Sequence, residues 1–440
     1  MKRAIHLSAV FLISLLVLLG AGRYTEAAEG EAPLELRLSL HDAIAAAMES
    51  NPTLQLSRER AEEAEGVVQV SRGAFLPNLS GTVSRTNETI FFGAIGLSGT
   101  SDPIDLFDAR VQLTQNLFSL SLIQQWRASK VGAKAASLDA EVSRRDTMAL
   151  IGLLYMEALR AEAAVKASEA NVDLSRQLLA LARDRKAAGL ATNLDVTRAE
   201  VQLESEKQRL LVAQNQQDRT KLNLLRSLGI SREVALVLTD TLTLVEVDRQ
   251  SPAEALVAAR AQRVELQTQA MREKFASLTL RSIRNEIIPS LRLNANYGRI
   301  GTRFDDTVST RFVGLVLSVP IFEGGSRQGR ISQSLSRIRQ EEIRTRDLVQ
   351  QINLEVRDAL LTLASARQQV AVSEVGLQLA LKELELARQR FEAGFINNIE
   401  VTNAQTSVVR ARDNEIEALF NFNAARINLA RAKGEIDTLN

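Results

Sequence analysis

Apolar residues recur every seventh position along two long stretches of this chain. In the later stretch they are Val349, Val356, Leu363, Val370, Leu377, Leu384 and Phe391. Ile352, Ala359, Ala366, Ser373, Ala380 and Ala387 fall three places after the first six. The earlier stretch keeps the same beat with Ile151, Ala158, Val165, Val172 and Leu179, followed by Leu154, Ala161, Ser168, Ser175 and Ala182. This is the a/d seam of a long helix. At 1.5 Å per residue, Lys130 to Lys186 alone predicts a rod roughly 85 Å long. Val372, Leu379 and Leu386 form a second stripe about 200° round from the first. A helix apolar on two opposed sides belongs in a wall with a neighbour on each flank.

Each rod ends in a turn, and the two turns are copies. ARDRKAAGLATNLDVTRAEVQ begins at Ala182 and ARQRFEAGFINNIEVTNAQTS at Ala387, aligning without a gap. Gly189 and Gly394 stand where a helix end takes a left-handed residue. Thr192 with Asp195, and Asn397 with Glu400, have the spacing of capping boxes that open the return helices. Those helices carry Val196, Ala199, Leu203 and Leu210 in one case, and Ala404, Ala411, Ala418, Ala425 and Ala432 at strict sevens in the other. The chain is an internal duplication with two helical hairpin tips, at 186–193 and 391–398.

Between helices the period drops to two. Phe107, Ala109, Val111, Leu113 and Gln115 alternate with Asp108, Arg110, Gln112 and Thr114, as in a strand with one apolar face. In the second half Val313, Leu315 and Leu317 do the same. Strands are expected over about 77–92 and 105–118, and over 289–304 and 307–320. Short capped helices precede each pair, signalled by Ser39 with Asp42, by Asn51-Pro52, and by Ser251-Pro252 with Glu254. The layout is a leader at 1–27, a first repeat at 28–229, a connector at 230–250, whose LVLTDTLTLVEV either holds a short strand or simply links the halves, and a second repeat at 251–440. The leader is a short apolar run behind Lys2 and Arg3, the pattern of a secretory signal.

Composition narrows the function. A net charge of +1 over 440 residues offers no basic surface for nucleic acid. There is no cysteine, and the two histidines are His6, in the leader, and His41. Thiolate and histidine chemistry are therefore not expected. Neither a cofactor, a metal site nor a catalytic constellation is indicated. Gly324-Gly325 lacks the Lys-Ser/Thr of a phosphate loop and reads as a strand-to-helix turn.

Alternating strands in a secreted chain suit a membrane only as a closed barrel, and four strands do not close one. The doubly striped helices likewise need neighbours. Both features ask for an oligomeric ring. At this point the chain resembles the TolC-like outer membrane efflux proteins over nearly its whole mature length. The resemblance rests on the duplication, on VPIFEGGSRQGRI at Val319 to Ile331, and on the tips. The first tip carries the family pattern at Arg185, Gly189, Leu190, Asp195 and Val196. The second matches at Arg390, Gly394 and Val401, with Phe395 and Glu400 as variants.

The resemblance implies a mostly α fold with a transmembrane β-barrel: a homotrimer with a twelve-stranded barrel, four strands per chain, on a periplasmic helical barrel. It implies the outer membrane of a Gram-negative bacterium, lipid around the barrel, and tips that dock on a periplasmic adaptor coupled to an inner-membrane pump. Glu400 and Asn403 are the implied candidates for a periplasmic constriction. The function expected is a passive exit channel for efflux or type I secretion, not an enzyme. The alternatives are a periplasmic adaptor, whose single hairpin leaves the duplication unexplained, and a structural coiled-coil envelope protein, which leaves the strands unexplained.

Overall fold

A computed structural model of the chain describes residues 35–91, 96, 98–230, 234–245 and 251–438; the expected leader lies outside the described residues. The chain passes twice through one order of elements. After strand β1 (Glu35–Leu38), the first pass comprises α1 (Leu40–Ser50), α2 (Pro52–Gly73), β2 (Asn78–Glu88), β3 (Ile104–Phe118), α3 (Leu120–Ala187) and α4 (Asn193–Ser227). Strand β4 (Ala235–Leu238) leads to the second, with α5 (Pro252–Gln262), α6 (Val264–Arg284), β5 (Ser290–Gly301), β6 (Thr307–Ser318), α7 (Ser326–Glu392) and α8 (Asn398–Lys433).

The long helices α3 and α7 have 68 and 67 residues, so each is roughly 100 Å long. They begin earlier than the heptads suggest. Ser119 caps α3 by accepting the Leu122 amide, and Gly325, at φ 83°, opens α7 out of a sharp turn. The expected capping boxes at Ser39 with Asp42 and at Ser251 with Glu254 are formed.

β2, β3, β5 and β6 form one antiparallel sheet in that order, leaving β2 and β6 as open edges. Its register aligns like with like. Leu79 pairs with Leu113, Leu113 with Ala295, and Ala295 with Val313, while Leu293 pairs with Leu315 and Leu291 with Leu317. One face therefore carries an apolar band across all four strands, with Arg85, Arg299 and Arg311 towards its far end. The other carries Thr82, Arg110, Asp108, Gln112, Asn294 and Asn296. Gly298 makes room on that face, since a Cβ there would lie 2.5 Å from the Cβ of Arg110.

The helices form a single layer. Along the tip half the neighbours run α4, α3, α8, α7; along the sheet half they run α2, α3, α6, α7. Two joints convert short helices into long ones. At the end of α4, Gly229 sits at φ 75° against Ser50, and Asn51 Nδ2 donates to the Ser227 carbonyl at 2.6 Å. At the end of α8, Gly434 sits at φ 78° against Gln262, and Arg263, 4% exposed, donates to the Ala432 carbonyl. The helices α4 and α2 thus stack end to end, as do α8 and α6.

The connector does hold a short strand, β4, while its partner β1 was not expected. β1 and β4 pair in parallel across about 200 residues of chain, Leu36 against Leu236 and Leu38 against Leu238. They cover a buried cluster of Ile151, Tyr155, Leu159, Leu224, Leu228 and Ile427. The buried Tyr155 hydroxyl donates to this layer, at 2.9 Å from Asp240 Oδ2 and 3.0 Å from the Leu38 carbonyl.

Candidate docking tips and channel wall

The two tips share one backbone solution. At the first, Gly189 N–H bonds the Lys186 carbonyl and Leu190 N–H bonds the Arg185 carbonyl; at the second, Gly394 bonds Phe391 and Phe395 bonds Arg390. Both glycines have positive φ, 75° and 82°. This is the Schellman ending, in which the residue after the glycine normally packs back on the helix. Here the residues it would pack on are Arg185 and Arg390, and Leu190 and Phe395 are 67% and 79% exposed. Capping therefore accounts for the glycines but not for these apolar side chains.

The return helices are capped differently. Thr192 and Asp195 make the full reciprocal box, at 3.3 Å and 2.9 Å. The Thr192 hydroxyl and amide hold the Asp195 carboxyl below its usual value. The box expected at Asn397 is only half made. Asn397 Oδ1 accepts the Ile399 amide at 3.0 Å, whereas Glu400 turns to Arg390, 3.9 Å away, with both side chains largely exposed. An asparagine side chain is short enough to close on the second helical amide, and the nearby guanidinium competes for the carboxylate. Val196 and Val401 are buried beneath their tips.

The duplicated arginines have separated in role. Arg185 reaches across to the other tip, donating to the Phe391 and Glu392 carbonyls and lying 4.6 Å over the Phe391 ring. It is thus engaged within the chain, while Arg390 faces solvent. Asn398 completes a second bridge, its Nδ2 donating to the Asp195 carbonyl at 2.9 Å. Phe391 and Asn398, both 4% exposed, were not singled out as site residues. In the first tip Lys186 stands where Phe391 does, whereas Asn398 matches Asn193, so only Phe391 is marked in the sequence as a difference between the copies. Asn403 is exposed one turn beyond Glu400.

Beyond the tips, the layer's two edges carry unpartnered apolar side chains. On α7 these include Leu354, Leu361, Val372, Leu379 and Leu386, and on α4 Val201, Leu211 and Leu222, each at least half exposed. The second stripe read from the sequence is therefore bare in a single chain. The apolar sheet face is bare as well, with Val83, Tyr297, Val313, Leu315 and Leu317 each more than 60% exposed. Among the described residues no helix is long and apolar enough to cross a membrane.

The profile of the outer membrane efflux protein family matches residues 43–230 and 255–435, one segment in each repeat. The outer membrane protein TolC of Escherichia coli is 23% identical over 413 residues, covering 88% of this chain and 80% of that protein. The alkaline protease secretion protein AprF of Pseudomonas aeruginosa is 23% identical over 415 residues, covering 91% and 85%. Among solved structures, CusC superposes with a TM-score of 0.78 at 17% identity over 94% of this chain and 99% of that one. The outer membrane protein VceC of Vibrio cholerae gives 0.75 at 18%, over 90% and 96%.

Proposed function

This chain belongs to the outer membrane efflux protein family, and we propose that three copies of it close into the exit channel of an efflux or type I secretion system. The observation that carries this reading is the four-stranded sheet, which has an apolar band across one face and is open at both edges. Backbone groups at a sheet edge have no partners in lipid, so such a sheet needs a closed ring. Three copies, the number the family resemblance implies, give twelve strands, an even count within the range of bacterial barrels. The same closure brings the bare stripe of α7 against α4 and α2 of the next chain. Covering one Leu or Val there is worth about 1.5–3 kcal/mol.

In this reading the polar sheet face lines the lumen, the apolar face meets outer membrane lipid, and the duct is passive. Leu190 and Phe395 at the tips dock on a periplasmic adaptor, which couples the channel to an inner-membrane pump. Arg390, Glu400 and Val401 support the second docking tip as Gly189, Asp195 and Val196 support the first. Glu400 and Asn403, exposed on one side of α8, line the periplasmic constriction. Such a duct calls for no cofactor and no enzymatic chemistry.

The test is photo-crosslinking in cells from probes at Leu190 and Phe395, beside mass measurement and bilayer conductance of the detergent-extracted protein. Capture of a periplasmic adaptor, a three-chain mass and a stable conductance are expected. A monomer without conductance would overturn the channel. A conducting trimer whose incorporated probes capture only the protein itself would overturn the docking assignment alone.

A further inference from the structure

α4 closes on α3 through Val196, Ala199, Leu203 and Leu210, which pack with Val172, Leu179 and Ala182. The alternating steps of three and four that link 196, 199 and 203 continue to 206 and 210. Position 206, where the seam calls for an apolar side chain, is a glutamate with no exposed surface. Its Oε1 accepts from Gln202 Nε2 at 2.8 Å and lies 3.6 Å from Arg209 Nη1, while Oε2 has no hydrogen-bond partner. Arg209 is itself 53% exposed, so its charge is largely screened by solvent.

The surrounding charges pull both ways, Arg209 favouring the anion and Asp413 opposing it. From α8, Asp413 acts on Glu206 as a like charge. Its neighbour Arg412 is turned to Asn171 of α3. On α3 itself Lys166, Glu169, Asp173 and Arg176 lie on the exposed side, with Lys166 paired to Glu162 and Arg176 to Asp173. Burial raises the Glu206 carboxyl most, Arg209 and Gln202 opposing and Asp413 adding. Asp413 is raised by burial too.

We propose that Glu206, faced by Asp413, is a proton-binding site in the helical wall, occupied when the α3–α4 hairpin is closed and vacated when the hairpin opens to water. A buried carboxylate with an unmet oxygen is far more costly than the neutral acid. The direction follows from linkage. A carboxyl raised in the closed state favours closure most fully below its open-state value, and that advantage is lost as pH rises through the closed-state value. The hairpin therefore tightens in acid and loosens toward alkaline pH. This is independent of which cargo or partner the channel serves.

Hydrogen exchange on the full-length trimer in detergent reads this directly. Protection across 165–182 and 196–213, corrected for intrinsic exchange, is followed from pH 5 to 8.5. The wild type should lose protection with rising pH by up to tenfold per unit, the limit for one proton. Glu206→Gln should abolish the slope and be as protected at pH 8 as the wild type at pH 5. Asp413→Asn, which removes the like charge, should keep the slope and move its onset to lower pH. Glu206→Met, which restores the apolar seam, replaces the glutamine variant should that one not assemble. A flat wild-type profile, or a slope unchanged in the folded Glu206 variants, overturns the proposal.

Discussion

Gly189 and Gly229 have the same backbone conformation, φ 75°, and opposite surroundings. Nothing lies within 4 Å of a Cβ added at Gly189, whereas one added at Gly229 would sit 2.3 Å from the Ser50 carbonyl oxygen and 2.9 Å from its carbon. Alanine at Gly189 therefore carries only the left-handed backbone cost, about 1–2 kcal/mol. Alanine at Gly229 carries that cost and must also push the Ser50 backbone away. The displacement takes with it Ser50 Oγ to the Leu228 carbonyl and Asn51 Nδ2 to the Ser227 carbonyl, each 2.6 Å. At about 0.5–1.5 kcal/mol per bond, the total becomes about 2–5 kcal/mol. Hydrogen exchange measured by mass spectrometry separates the two. Gly189→Ala should speed exchange at 183–196 by roughly tenfold, at 1.4 kcal/mol per decade. Gly229→Ala should speed exchange at both 222–230 and 46–58, by roughly a hundredfold or more. Equal increments in the two variants, or an effect of Gly229→Ala confined to α4, would refute the stacked joint between α4 and α2.

Three further outcomes are expected. Arg185→Ala should free the Phe391 and Glu392 carbonyls and raise exchange at both tips by about tenfold or more, while Arg390→Ala leaves exchange unchanged; equal effects would mean that the arginines have not diverged. Tyr155→Phe removes a hydroxyl whose one proton is shared between Asp240 Oδ2 and the Leu38 carbonyl, from a side chain with no exposed surface. It should cost about 1–3 kcal/mol, read as faster exchange in β1 and β4, and unchanged exchange there would discount the clamp. The Asp195 carboxyl is depressed by Thr192, so its cap is fully present above the ordinary carboxylate range and lost as pH falls through the lowered value. Pepsin cleavage at 188–196 should accordingly rise at low pH in the wild type, whereas Thr192→Val should be cleaved readily at every pH tested.

The long-range plan of the fold was legible because it is written in periods. Heptad positions Val356, Val370, Leu384 and Phe391 are buried, as are Ile352, Ala359, Ala366 and Ala380. The strands run over Asn78–Glu88, Ile104–Phe118, Ser290–Gly301 and Thr307–Ser318, against expected spans of 77–92, 105–118, 289–304 and 307–320. What a period does not carry was missed. β1 and β4 are four residues each and pair in parallel with a partner far along the chain, so nothing local announces β1, and β4 was legible only as one of two readings of the connector. Leu36 and Leu38 alternate correctly, but so short a run is ambiguous. The tips were legible as turns and as exposed apolar sites. The direction of Arg185 was not, because identical spacing in two copies says nothing of which copy folds over the other.

The asymmetry between the tips bears on how they would serve as docking sites. The first is held by a reciprocal cap, and its Asp195 carbonyl is taken by Asn398. The second has half a cap and a long, exposed Arg390–Glu400 pair, of a kind that contributes little in water. Its Phe395 is also the more exposed of the two apolar contacts. Binding on a loosely held tip costs about 0.5–1.5 kcal/mol for each side chain that must be ordered, so the first tip would seat a partner at lower entropic cost. The second offers the larger apolar surface and a carboxylate free to change partners. On the docking reading, a trimer therefore presents two kinds of tip in alternation. Arg185 ties each stiff tip to the adaptable one of its own chain, so displacement at either is carried to the other through the Phe391 and Glu392 carbonyls.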